Sequence, residues 1–286
     1  MADKVLATIT TYNPELDLLE KNIDAIVNQV DKVLVYENAS SNREEIVALC
    51  QNKDVELILN DKNYGVAGPL RDGLDYAFDN GYAYILTLDQ DSVASEGMIE
   101  SLVSLIKTDD KLALVSAQPV TVINGVEFKD DSENHYVDDV ITSGTLADVA
   151  KLKEIGGYMP EMFIDWVDTE ICFRVITNGY KIMQSTAPLK HTIGEPERRR
   201  FLWKWVVVTN YSPFRCYYIG RNSTCFTKVY KKRLYIKRGY LFRRKMKILL
   251  YESNKLEKIK ALSKGKKDAK AFYKQIIEKY QFLTQK

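Results

Sequence analysis

Asp89-Gln90-Asp91 closes a largely apolar run, Tyr84-Ile85-Leu86-Thr87-Leu88. A short apolar run of this length reads as a buried strand of an α/β sheet. Ligands of open α/β sheets bind beyond the carboxyl ends of the strands. Residues i and i+2 of an extended chain project to the same side. Two carboxylates so spaced attract a hard divalent cation, Mg2+ or Mn2+, of the kind shared with substrate phosphates. The same residues also read as a strand ending in a polar turn, with Ser92 capping a following helix. A second acidic cluster lies in Phe163-Ile164-Asp165-Trp166-Val167-Asp168-Thr169-Glu170. There Asp165 or Asp168 could take a proton from a hydroxyl as general base. The plainer reading makes Asp168 a helix cap and Glu170 a favourable charge at the helix N-terminus. His191 is usually the structural kind of lone histidine, but neutral imidazole can complete a coordination shell begun by a carboxylate.

These residues need a scaffold, and the chain supplies one. Strands are predicted over 4–9, 32–36, 55–60 and 84–91, and helices over 15–29, 44–51 and 69–80. Pro14 starts the first helix and Gly81 closes the third. This alternation means βαβ units and a largely parallel sheet, an α/β fold. Each strand ends in polar residues on one edge, which gathers Thr10, Glu37, Asn38, Asn60, Asn63, Asp89 and Asp91. A crevice of acceptors and backbone amides suits a nucleotide. No G-x-G-x-x-G follows the first strand and no G-x-x-x-x-G-K-[ST] occurs, so neither a conventional dinucleotide site nor a P-loop is expected. Beyond Asp91, the pattern predicts a helix over 98–107, a strand over 112–117 and a polar, turn-rich stretch over 121–139. The segment 140–146 carries Ser143-Gly144-Thr145. Helices over 149–155 and 168–178 and a strand over 180–184 follow. Residues 201–222, aromatic and basic, read as an amphipathic helical region, and 255–286 as a final helix with Ile259, Leu262, Phe272, Ile276 and Ile277 on its apolar face.

The chain has 286 residues, 45% of them hydrophobic and 28% charged, enough for one large domain with an appendage. Its four cysteines are widely spaced, which argues against a zinc site or disulfide framework and suits a reducing cytoplasm. The N-terminus enters a strand directly, without a signal peptide, and no stretch approaches the roughly 20 apolar residues that span a bilayer. The formal net charge of +2 hides an asymmetry. Residues 1–225 hold 21 Lys/Arg against 35 Asp/Glu, a net of −14; residues 226–286 hold 20 against 4, a net of +16. The expected division is therefore a catalytic domain over 1–225 and a basic, mainly helical extension over 226–286. Such a tail suggests an anionic partner surface.

The ordered motifs resemble glycosyltransferase family 2, the inverting sugar transferases of the GT-A fold. Thr10-Thr11-Tyr12-Asn13-Pro14 looks like the family's first nucleotide-contacting loop, and Glu37-Asn38-Ala39-Ser40 resembles its D-N-x-S. Asn63-Tyr64-Gly65-Val66-Ala67-Gly68 looks like its N-x-G-x-x-x loop. Asp89-Gln90-Asp91 matches D-x-D, Asp168 to Arg174 resembles E-D-x-D-L-C-x-R, and His191-Thr192-Ile193-Gly194 resembles H-x-x-G. The resemblance covers about residues 3–225. It implies a nucleotide-sugar donor held by Thr10, Tyr12, Asn13, Glu37, Asn38, Asn63, Gly65, Arg71, Asp89 and Gln90. It implies a metal on Asp91, with Asp89 and His191, and an acceptor side formed by Trp166, Ser143 and Gly144. Val167 stands where the family has an acid, so Asp165 rivals Asp168 as base, and Arg71-Asp72 stands where the family has a polar Asn. Within the family, the spellings over 163–170 and 217–222 look like bacterial rhamnosyltransferases that use dTDP-L-rhamnose. The acceptor is then a saccharide, carried on lipid, in cell-wall polysaccharide synthesis, and the enzyme is cytoplasmic and peripheral at the inner face of the membrane. The tail docks on that anionic surface or packs on the catalytic domain or a second copy of the chain. The alternatives are a UDP-sugar donor, a sugar nucleotidyltransferase, and a nucleic-acid-binding module on the basic tail. The acidic residues 1–225 argue against the last.

Overall fold

The computed structural model describes residues 3–123, 126–128, 132–191, 197–201, 204–230 and 239–283, with backbone alone at 121–123, 126–128, 191, 197–201 and 204–207. The chain forms two compact units, Met1–Phe163 with Val167–Thr192, and Ile164–Trp166 with Ile193–Lys286. The boundary read from charge, 225/226, falls inside a helix of the second unit.

In the first unit β1 (Val5–Thr11), α1 (Leu16–Ile26), β2 (Lys32–Glu37), α2 (Arg43–Gln51), β3 (Glu56–Leu59), α3 (Ala67–Asp79) and β4 (Tyr84–Asp89) alternate as the periodicity predicts. Then come β5 (Ser92–Ala94), α4 (Met98–Ile106), β6 (Leu112–Ile123), β7 (Val126–Phe128), β8 (His135–Val137), β9 (Thr145–Asp148), α5 (Val149–Glu154), α6 (Val167–Thr177) and β10 (Lys181–His191). Among the described residues the sheet path is β3-β2-β1-β4-β9-β6-β10-β5, with β7 on β6 and β8 on β10. β1 to β4 are parallel to one another, and β6 is parallel to β10. β9 lies antiparallel between β4 and β6, so the sheet is mixed.

The physical logic is burial on both faces. Six of the seven residues of β1 are buried, and a strand buried on both faces requires cover from both sides. α1 supplies Leu19, Ile23 and Ile26 and α4 supplies Met98, Ile99 and Leu102 to one buried cluster that also holds Ile9, Val35, Leu86 and Leu146 of the sheet. α3 lies close to β1 because residue 73 is glycine, where a Cβ would stand 2.7 Å from Thr8 Cγ2.

Three local expectations change. Ser92 begins a strand and caps no helix, because β5 pairs with β10. The turn-rich stretch 121–139 holds two short strands, each paired with a longer neighbour that its own weak alternation does not reveal. The region 201–222 is helical only in its second half: β11 (Glu197–Phe201) and β12 (Lys204–Val208) form a two-stranded sheet, and α7 (Pro213–Val229) starts after it. Trp203 lies outside the described residues.

The second unit is built on α7, α8 (Tyr240–Tyr251) and α9 (Lys255–Lys279). Ser212 caps α7, its Oγ accepting from Arg215 N, and Pro213 takes the first helical position. α7 and α9 meet backbone to backbone. A Cβ on Gly220 would stand 2.2 Å from Leu262 O, and one on Gly265 2.0 Å from Tyr217 O. Cys216, Ile219, Ile248 and Leu262 form a small core. Beside it Glu252 accepts from both Arg244 and Lys258, so the buried cations are paired. On α9, Leu262, Phe272 and Ile276 are buried, while Ile259 and Ile277 are half-buried. Among the described residues no helix is long and apolar enough to cross a membrane.

Candidate active site

Strand register assembles the site. Thr10 near the end of β1 pairs with Tyr36 on β2 and with Asp89 on β4. Motifs separated by dozens of residues therefore emerge at one sheet edge. Side chains then tie the loops together. The Tyr12 amide donates to Gln90 Oε1 at 2.8 Å. Asn13, in the left-handed region at φ 49°, donates its amide to Ser40 Oγ, while its Oδ1 accepts from the amide and hydroxyl of Ser41. Buried Asn38 donates to Gly65 O at 2.9 Å and accepts from Asn60 Nδ2 at 2.8 Å. Asn63 Oδ1 accepts from the Gly65 amide at 2.7 Å. Gly65 is required twice, by its φ of +70° and because a Cβ would stand 2.2 Å from Phe163 O. Glu37 is fully buried. Burial pushes its carboxyl up, but the Ser40 amide and hydroxyl and the Arg43 guanidinium outweigh that and hold it below the usual carboxylate range.

Asp89, Gln90 and Asp91 are all partly exposed at the end of β4. The Asp89 amide donates to Ser143 Oγ at 2.9 Å, and Asp89 O accepts from Asn22 Nδ2 at 2.7 Å. Ser143 Oγ also hydrogen-bonds with Ser92 Oγ at 2.7 Å. Register places His191 opposite Ser92, the residue after Asp91; its side chain lies outside the described residues. No three His, Cys, Asp or Glu side chains converge on a metal position among the described residues. The donor set is nonetheless chemically apt: two carboxylates on one turn, with the histidine backbone brought alongside, suit a hard cation.

The segment 142–144 links this turn to α6. Thr87 Oγ1 donates to Thr142 O at 2.6 Å, and the Thr142 amide donates to Asp168 Oδ1 at 3.0 Å. Gly144, at φ +78°, donates its amide to Thr87 O and accepts from Ala117 N. Asp168 and the Asp89 backbone are thus held by adjacent residues of one buried loop. Asp168 sits inside the first turn of α6 rather than at its cap. Burial pushes the neighbouring Asp139 carboxyl up and the Asp168 charge adds to this, while the Cys172 thiol and Thr169 hydroxyl oppose it.

Other expected site residues are committed elsewhere. Arg71 donates to Asp75, to Gly156 O and to Tyr158 O, which ties α3 to the loop before α6. Asp165 belongs to the second unit, where Arg215 grips it with two hydrogen bonds of 2.7 and 3.2 Å. Trp166 stacks on Phe226 and Tyr240 in that same unit. Asn222 Nδ2 donates to the carbonyls of Ile164 and Asp165, bracing a segment whose Asp165 and Trp166 both have positive φ. Glu170 forms a buried two-bond pair with Arg174, whose Nη1 also donates to Ile155 O. Sequence reasoning missed Asn22, Thr87, Thr142 and Asp139. Asn22 alone carried a signal, a polar residue inside the apolar stripe of α1; the others are visible only once the strands are paired.

A cavity of about 300 Å³ between Val27, Lys32, Val33 and Glu56 lies at the amino ends of β2 and β3, the edge away from these residues.

Comparison with known proteins bears on the family and the fold. The chain is 28% identical to the dTDP-rhamnosyl transferase RfbF of Shigella flexneri over 246 residues, covering 78% of this chain and 79% of that protein. Among solved structures, GalNAc-T7 with UDP, GalNAc and Mn2+ superposes with a TM-score of 0.64 at 13% identity, over 97% of this chain and 57% of that one. S. aureus TarS 1–349 in complex with UDP-GlcNAc superposes with a TM-score of 0.52 at 16% identity, over 92% of this chain and 71% of that one. This chain thus spans little more than half of the first of these structures, and at such identity both likenesses bear on the fold, which is GT-A. The model of glycosyl transferase family 2 matches residues 7–164, more than half of the chain, and the chain belongs to that family.

Proposed function

We propose that this protein transfers L-rhamnose from dTDP-L-rhamnose, with inversion, to a hydroxyl of a saccharide acceptor carried on lipid at the inner face of the cell membrane, in cell-surface polysaccharide synthesis. The observation that carries the catalytic part is the Asp168–Thr142–Ser143–Asp89 chain, which couples a candidate base to the turn expected to face the donor diphosphate. The rhamnosyl part is supported by the Shigella relative.

Asp168 takes the proton of the acceptor hydroxyl. The freed oxygen bonds to the anomeric carbon from the face opposite the leaving group, the carbon–oxygen bond to the diphosphate breaks, and the electron pair leaves with dTDP. A β-linked donor becomes an α-L-rhamnoside. The Thr142 amide orients the Asp168 carboxylate. Asn38, Asn60, Asn63 and Gly65 hold one another in register, so the donor loops are ordered before the nucleotide arrives. Asp91, with Asp89 and His191, would hold Mg2+ or Mn2+. Such an ion, when bound, supplies Lewis-acid neutralisation of the leaving diphosphate.

A donor panel tests the reading. Calorimetry and slow hydrolysis with dTDP-L-rhamnose, UDP-glucose and UDP-N-acetylglucosamine should show preference for the first, and EDTA should suppress turnover. Clear preference for a UDP sugar would overturn the rhamnosyl assignment and leave the family intact. Full activity in EDTA would remove the metal, and release of pyrophosphate from a nucleoside triphosphate would favour a nucleotidyltransferase.

A further inference from the structure

α8 in the second unit turns an apolar face outward. Phe242, Met246, Leu249 and Leu250 are 68%, 37%, 45% and 48% exposed. At about 100° per residue these four positions fall within a roughly 100° arc of the helix. Arg243 and Lys247 follow on one side of the arc and Lys245 on the other. Arg244 and Ile248 point the opposite way and are buried against α7 and α9, so the orientation of the helix is set. Large contiguous apolar surface on a folded protein marks a docking site.

We infer that α8 is a membrane-seating helix, its apolar arc entering the headgroup–acyl boundary of an anionic bilayer and its three flanking cations meeting lipid phosphates. The charge pattern selects the occupant. A twofold contact between two copies through this face would set Arg243, Lys245 and Lys247 against themselves, which like-charge repulsion opposes. Anionic lipid offers the complementary charge, and these three cations belong to a segment, residues 226–286, whose net charge is +16. The helix has 12 residues, about 18 Å, so it cannot cross a hydrocarbon core of about 30 Å and must lie in the interface plane. An apolar stripe between cations is the pattern of interfacial helices. This goes beyond electrostatic attraction by the tail, since burial of the stripe resists salt and charge attraction does not.

The test is co-sedimentation of the full chain with vesicles of phosphatidylcholine and phosphatidylglycerol, and with phosphatidylcholine alone, at low and high salt. The expected result is binding to the anionic vesicles with a fraction retained at high salt. The triple variant Phe242→Ser/Leu249→Ser/Leu250→Ser should bind at least about tenfold more weakly and lose the retained fraction. A Leu250→Trp variant guards against misfolding of the triple variant: its fluorescence should shift to the blue on vesicles relative to wild type. Undiminished binding by the triple variant, or an unshifted Leu250→Trp spectrum on bound protein, overturns the inference. So does wild-type protein that ignores vesicles but dimerises through a contact the triple variant abolishes. None of these readouts depends on the donor, so failure here and failure of the rhamnosyl reading are separable.

Discussion

Asp165 and Asp168 are chemically identical and three residues apart, and their surroundings separate them. Asp165 is a half of a two-bond ion pair with Arg215 and is 11% exposed at its side chain. Both of its oxygens are engaged by that one guanidinium, which leaves the carboxylate poorly placed to reach an acceptor hydroxyl. Asp168 accepts from a backbone amide, which orients it without a formal opposite charge in that bond. The expected outcome is that Asp168→Asn keeps its fold and donor affinity and loses transfer by roughly 10²–10⁴-fold, the usual worth of a positioned base. Asp165→Asn should retain measurable transfer and lower the melting temperature, because the ion pair with Arg215 is lost. Single-turnover kinetics with calorimetry on both variants decides it, and an inactive Asp165→Asn beside an active Asp168→Asn exchanges the roles.

At the scale of elements, the second unit depends on two glycines. Neither Gly220 nor Gly265 needs an unusual φ; both are needed because α7 and α9 run with their backbones in contact. An added methyl would meet a carbonyl oxygen, which cannot move aside as a flexible side chain can. Each of Gly220→Ala and Gly265→Ala should force the helices apart at a cost of about 1–3 kcal/mol, the range for overpacking. Both would otherwise favour the helix by about 1 kcal/mol relative to glycine, so thermal melting that shows stabilisation would contradict the close contact. The same argument applies at Gly65, where the contact is with Phe163 O and the positive φ adds to it.

For the whole molecule, the four cysteines report on its two units. Cys50 and Cys172 lie in the first and Cys216 and Cys225 in the second, all of them buried. Burial pushes the Cys50 thiol up to about 11 and Cys172 well above its ordinary value. Protonated, inaccessible thiols react slowly. Native protein at pH 8 should therefore spare all four from a thiol reagent over minutes. With rising denaturant, Cys216 and Cys225 should label first, because the core around Cys216 is small beside that of the sheet. Mass mapping of the labelled peptides reads the order, and simultaneous labelling of all four would mean the units open as one.

The sequence by itself determined the strand–helix alternation, the carboxylate pair at the end of β4 and the basic C-terminal segment. Each of these rests on local periodicity, composition or turn chemistry, which neighbouring residues carry among themselves. Only the tertiary structure decided that Thr142 anchors Asp168, that Arg71 is spent on Gly156 and Tyr158, and that residues 197–201 pair with 204–208 as strands instead of joining α7. It also decided that Ser92 faces His191 and that α8 shows its apolar side outward. These depend on which strand lies beside which and on which helix face is already covered. Hydrogen bonds and burial between residues dozens of positions apart determine both, and they leave no periodic trace in the chain.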